Sequence, residues 1–172
     1  KQVMSEQPQV NYRKDYQAPT FLIDKIDLKF DIQEETTLVH SRMVINRNGT
    51  NEARDLRLDG SAHLVSITLD GQRLEPEVRY RLADDCLLIR EVPDSFILEM
   101  ETELKPASNT SLMGLYASNG NLFTQCEPEG FRKITYYLDR PDVMAKFSTT
   151  IVADKARFPA MLSNGNKVGE GL

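Results

Sequence analysis

Residues 25–32 read KIDLKFDI and residues 36–48 read TTLVHSRMVINRN, and the fold follows from how these two runs alternate. In the first, Ile26, Leu28, Phe30 and Ile32 alternate with Lys25, Asp27, Lys29 and Asp31, a period of two that marks a half-buried strand. In the second, Val39, Met43 and Ile45 share a face. The polar Gln33-Glu34-Glu35 supplies a turn between them, and Asn46 to Asn51 supplies the next, so the two runs are expected to pair as a long antiparallel hairpin.

The same pattern continues outward. Leu56 and Leu58 begin a shorter element; Leu64 to Leu69 meets the turn pair Asp70-Gly71 and returns through Arg73 and Leu74. Val78 to Leu82 and Cys86 to Ile89 flank Asp84-Asp85 as another hairpin. The run FILEMETEL, residues 96–104, sets Phe96, Leu98, Met100 and Leu104 against Glu99, Glu101 and Glu103, so one face meets water. Leu115 to Ala117 and Leu122 to Cys126 bracket SNGN as a further hairpin, Phe147 to Ala153 alternates again, and the terminal MLSNGNKVGEGL begins like one more strand. Helical spacing does not hold for three turns anywhere before residue 130. The one helical candidate is Pro141 to Lys146, where proline suits a first-turn position and Asp142 the positive end of the helix dipole. The expected fold is all-β: an antiparallel β-sandwich or saddle-like pair of sheets with one short helix near the C-terminal third. Residues 1–18 read as an N-terminal extension and 19–172 as one β-rich domain.

Composition narrows the function. The 172 residues carry 21 basic and 26 acidic side chains, a net charge of −5 spread along the chain, which repels a phosphate backbone and excludes nucleic acid as a partner. No apolar run approaches the roughly 18 residues of a membrane span, and the first residues lack the apolar core of a signal peptide. The chain therefore reads as soluble, cytoplasmic and without a membrane partner. Cys86 and Cys126 are the only cysteines, too few for a disulfide framework and suited to a reducing compartment. Two matches to the glycosylation pattern, at Asn48 and Asn109, read as ordinary turns.

Catalytic machinery is missing from the sequence. A catalytic zinc needs three protein ligands, commonly from H-E-x-x-H. Here His40 and His63 are the only histidines, without partners at that spacing, and both read as surface residues. No G-x-S-x-G elbow is present, and Cys126 has no nearby histidine base, so it reads as a small buried apolar side chain. The row Glu99, Glu101, Glu103 is flat, unlike the cage a calcium ion requires.

What remains is FTQCEPEGFRKITYYLDRPDVMAKF, residues 123–147. On a strand continuing through Cys126, Gln125 and Glu127 project from one face while Cys126 turns inward. An amide oxygen and a carboxylate can then converge on one small cation. From the residues alone, Glu127 can equally be an exposed acid paired with Arg132 or Lys133.

This segment, with NYRKDYQAP at residues 11–19 and LSNGN at residues 162–166, resembles the amino-terminal domain of the aminopeptidase N family, zinc exopeptidases of the gluzincin clan. The likeness spans nearly all of residues 11 to 168. It implies that Gln125 and Glu127 help to hold the free α-amine of a peptide substrate, which a carboxylate distinguishes from an internal amide by charge-assisted hydrogen bonding. Two family motifs, G-x-M-E-N and H-E-x-x-H, do not occur in this sequence. The resemblance therefore implies an amino-terminal piece that caps the active site of a longer aminopeptidase, with Zn2+ bound by the catalytic domain of the same polypeptide. No catalytic or metal-binding residue is expected in this piece, which should be inactive alone. The competing reading, from a different class, is a non-catalytic β-sandwich module that binds a protein or peptide edge to edge.

Overall fold

The computed structural model describes residues 13–171; the first twelve residues of the expected extension, and Leu172, lie outside the described residues. Eleven strands are formed among the described residues. β1 (Phe21–Ile32), β2 (Thr37–Arg47), β4 (His63–Leu69), β5 (Gln72–Arg73), β8 (Ser95–Leu104) and β11 (Lys146–Val152) build one sheet in the order β11-β1-β2-β8-β4-β5. β3 (Leu56–Asp59), β6 (Tyr80–Ala83) and β7 (Cys86–Ile89) build a second, ordered β3-β7-β6, and β9 (Gly114–Ser118) pairs with β10 (Asn121–Gln125) as a separate hairpin. The expected β1–β2 hairpin is present, with Ile26 opposite Met43 and Phe30 opposite Val39. The all-β fold class holds.

The alternation read from Lys25 onward begins earlier in space. Phe21 and Ile23 are buried, yet Ile23 and Ile26 are three residues apart, and a regular strand would send them to opposite faces. A β-bulge between Ile23 and Lys25 absorbs the extra residue and restores the phase, so both isoleucines face the core. That core runs through β1, β2, β4 and β8 on one side and β3 and β7 on the other, with Phe21, Ile26, Met43, Leu58, Leu87 and Leu98 fully buried. Side chains buried to this degree contribute about 1.5–3 kcal/mol each relative to exposure.

Residues 131–143 close the core beside the second sheet. Tyr137 exchanges two backbone hydrogen bonds with Asp59 at 2.8 and 2.9 Å, tying the segment to β3. Thr102 Oγ1 donates to the Ile134 carbonyl at 2.9 Å, and the buried Ser41 and Thr135 hydroxyls lie 3.3 Å apart, so the apolar face of the large sheet holds the segment through polar contacts as well. Gly60 has no side chain because the Tyr136 ring occupies that space: a Cβ would lie 2.7 Å from the ring Cγ. The Tyr136 hydroxyl donates to the Ala62 carbonyl at 2.8 Å.

Three expectations are corrected. The large sheet is mixed, because β11 pairs with β1 in parallel; the long excursion through the rest of the domain provides the crossover that parallel pairing needs. Pro141 to Lys146 is a turn followed by the start of β11, and the short helix is instead a single 3₁₀ turn at Phe131–Lys133. The Asp142 carboxylate is taken by Arg140, at 2.9 and 2.7 Å, and by the Tyr16 hydroxyl at 3.0 Å, so it does not cap a helix. The terminal MLSNGNKVGEGL forms no strand among its described residues, and Leu162 and Val168 are exposed.

Candidate functional site

Gln125 is the last residue of β10, where it pairs with Gly114, and the chain then turns through residues 127–130. The expectation that the strand continues through Cys126 is therefore corrected. A turn brings Gln125 and Glu127 together: the Gln125 side-chain Nε2 donates to the Glu127 backbone carbonyl at 2.9 Å. The amide nitrogen thus holds the loop, leaving the amide oxygen as an acceptor. Both residues are exposed, and the Glu127–Pro128 peptide bond is cis.

The turn is tight for a local reason. The Gly130 amide donates to the Cys126 carbonyl at 2.7 Å, and a Cβ on Gly130 would lie 2.7 Å from Cys126 Cα, inside contact distance. Only glycine lets the backbone fold back this closely. Cys126 does turn inward, as expected, and packs on the core; burial first, then the nearby Asp139 and Glu127 carboxylates, push its thiol up. A raised thiol keeps its proton and is a poor nucleophile, consistent with a packing role.

Arg132 is engaged elsewhere. Its Nε donates to Asp139 Oδ2 at 2.8 Å, its Nη2 to the Asp139 carbonyl at 3.1 Å, and Nη2 lies 3.4 Å from Glu129 Oε1. By their charges Arg132, Asp139 and Arg140 are expected to form ion pairs, and they do so as two separate pairs, Arg132 with Asp139 and Arg140 with Asp142. Among the described residues, Glu127 joins no ion pair, so the casual partnership with Arg132 or Lys133 that its sequence position allowed is not formed. Which of these charges would pair with which was not legible in the sequence, since Arg132 and Asp139 are seven residues apart on irregular backbone and give no periodic signal.

Behind the turn, Phe131, Tyr137 and Phe147 meet edge to face or tilted, with ring centroids 5.0 to 5.9 Å apart. Burial, reinforced by Asp139, pushes the Tyr137 phenol up to about 12, and its buried hydroxyl has no hydrogen-bond partner. Ahead of it, Tyr116 and Phe123 stack across the β9–β10 hairpin at 5.9 Å, and Phe123 is half exposed.

Metal chemistry does not fit these residues. Among the described residues no three His, Cys, Asp or Glu side chains converge to hold an ion. His40 instead meets Glu101 at 3.0 Å across β2 and β8, and Glu99 lies 3.9 Å from Arg42, so these two glutamates face cross-strand partners on β2. No helix among the described residues is long and apolar enough to cross a membrane.

Comparison with known proteins is consistent with this layout. The family model of the peptidase M1 N-terminal domain matches residues 13–171. The chain is 47% identical over 169 residues to aminopeptidase N of Escherichia coli (strain K12), covering 98% of this chain and 19% of that protein. It is 43% identical to aminopeptidase N of Caulobacter vibrioides, covering 97% of this chain and again 19% of the relative. The chain thus spans about a fifth of the length of the curated relatives it matches. Among solved structures it resembles Legionella pneumophila aminopeptidase A in complex with aspartic acid, at a TM-score of 0.82 and 33% identity over 88% of this chain and 18% of that one. An M1 zinc metallopeptidase of Deinococcus radiodurans, solved as a mutant bound to a Tyr-Ser-Ala substrate, shares the fold at a TM-score of 0.62 and 15% identity, over 77% of this chain and 32% of that one.

Proposed function

The chain belongs to the peptidase M1 N-terminal domain family, and from that premise we propose that it is the amino-terminal domain of a zinc aminopeptidase, capping the active site and holding the free α-amine of a peptide substrate. Residues 19–172 are the domain and 1–18 an extension ahead of it. Relatives at this similarity are aminopeptidases, and zinc metallopeptidases share the fold. Zinc, on this reading, is bound by the catalytic domain of the same polypeptide, and this chain alone does not hydrolyse peptides.

The observation that carries the proposal is that Glu127 is exposed and, among the described residues, joins no ion pair, while Arg132 is occupied by Asp139 and Glu129. A carboxylate left available on a turn can accept charge-assisted hydrogen bonds from an ammonium, each contributing on the order of 1.5–3 kcal/mol. Gln125 contributes twice: it pins the Glu127 backbone and offers its amide oxygen to the same cation. An internal peptide nitrogen carries no charge to match this pair, which makes the site selective for chain ends. In the complete polypeptide, Glu127→Ala is expected to lower kcat/KM for an aminoacyl chromogenic substrate about tenfold to a few hundredfold. Unchanged kinetics would remove Glu127 from the site. Chelator-sensitive turnover by the 172-residue chain alone would contradict the division of labour.

A second reading, an edge-docking module without catalysis, is favoured by β11. This edge strand is exposed along most of its length, with Phe147 and Val152 about half exposed. Binding of a β-strand peptide to the isolated chain, abolished by a proline within β11, would support it over the first.

A further inference from the structure

Strand β10 carries Gln125 and Phe123 on one face. The two are separated by a single residue in the regular ladder with β9, so both side chains leave the same side, with Cα atoms roughly 6–7 Å apart along the strand. Gln125 is in turn bonded to the Glu127 carbonyl at 2.9 Å, so Phe123, Gln125 and the turn that presents Glu127 follow one another along one surface. Across the ladder Phe123 lies opposite Tyr116, and the two rings stack with centroids 5.9 Å and planes 29° apart. The opposite face of the hairpin is the one turned inward, where Leu115 is buried and Ala117 and Leu122 are half-buried.

Folding alone does not account for the stacked pair. Among the described residues the core and the side chains packed on it include Phe131 and Tyr137, but neither Phe123 nor Tyr116. A cross-strand aromatic pair steadies a hairpin modestly, yet Phe123 remains 47% exposed, and covering that ring would be favourable. Tyr116 holds one side of the ring, so the Phe123 surface is set in place before anything lands on it, and little ordering cost is left for a ligand to meet.

We propose that Phe123, backed by Tyr116, is a shelf for the side chain of the substrate's first residue and favours large apolar side chains there. This rests on the reading that Gln125 and Glu127 hold the α-amine. The first side chain begins only two bonds from that nitrogen. The carbonyl on the same carbon is committed, on that reading, to the catalytic domain, so the side chain is the group left to lie along β10. A phenylalanyl or leucyl side chain can cover the exposed ring, whereas an alanyl methyl covers little of it.

The test is steady-state kinetics of the complete polypeptide on phenylalanyl and alanyl chromogenic substrates. Phe123→Ala is expected to lower the phenylalanyl-to-alanyl ratio of kcat/KM about tenfold, which corresponds to losing roughly 50–60 Å² of covered apolar surface. An unchanged ratio would overturn the proposal. So would an equal fall on both substrates together with a lower unfolding midpoint, the result expected if the rest of the polypeptide covers these rings. Should Phe123→Ala fail to fold, Phe123→Leu keeps an apolar side chain on the hairpin: a ratio lowered about threefold supports the shelf, and an unchanged one overturns it. Glu127→Ala, run in parallel, separates the two claims, because every first residue carries the amine and both substrates should suffer alike. An effect there with an unchanged ratio here defeats only this inference, and no effect there defeats both.

Discussion

The centre of the large sheet and the β9–β10 hairpin are both antiparallel, yet they solve different problems. In β2 and β8, and in β1 on either side of its bulge, burial alternates along the strand, and Ile26, Met43 and Leu98 are fully enclosed by partners on both flanking strands and on the facing layer. The hairpin pairs only with itself, buries little beyond Gly114 and Leu115, and ends in the turn that presents Gln125 and Glu127. Stability is concentrated in the first region, and the chemistry proposed for this domain in the second, on an exposed turn. Between them, the 131–143 segment is tied to the core by hydrogen bonds with Thr102, Ser41 and Asp59.

The contrast can be broken first by truncation. Leu98→Ala is expected to destabilise the chain by about 2–5 kcal/mol in urea unfolding, whereas Leu122→Ala in the partly exposed hairpin costs less than about 1.5 kcal/mol. Comparable losses would mean that the hairpin is part of the cooperative core. Gly130→Ala should invert the pattern: with the added Cβ forced against Cys126, stability falls by about 1–3 kcal/mol, but kcat/KM of the complete polypeptide drops about tenfold to a hundredfold because Glu127 is displaced.

Tyr137→Phe gives the smallest effect and sharpens the boundary between the regions. Removing a buried, unpartnered hydroxyl should leave stability at pH 7 unchanged or raise it by up to about 1 kcal/mol. Because the folded phenol is raised to about 12 from an ordinary value of 10, the stability it contributes is intact below pH 10 and is lost as pH climbs from 10 toward 12. The phenylalanine variant should therefore lose less stability over that window, as read by unfolding midpoints.

Much of the scaffold was legible because burial on one face of a strand leaves a period of two. The β1–β2 pairing, the Asp70-Gly71 turn and the alternation of FILEMETEL all emerged from it. What that period could not show was anything depending on contacts distant in sequence. The parallel β1–β11 pairing joins strands more than a hundred residues apart, and the bulge after Ile23 breaks the period it would have to be read from. The Pro141 signal was local and was overruled by Arg140 and Tyr16 claiming Asp142. At the candidate site, Gln125 and Glu127 were singled out by residue type and family resemblance. Their true relation, an amide gripping a backbone carbonyl across a turn, required knowing where β10 stops.

The most direct test of an exposed acid reserved for the substrate is a crystal structure of the complete polypeptide with a bound amino acid or peptide. The Glu127 carboxylate is predicted to lie about 2.7–2.9 Å from the ligand's α-ammonium, with Arg132 still on Asp139. A bound amine met by other groups, with Glu127 turned away from it, would contradict the assignment.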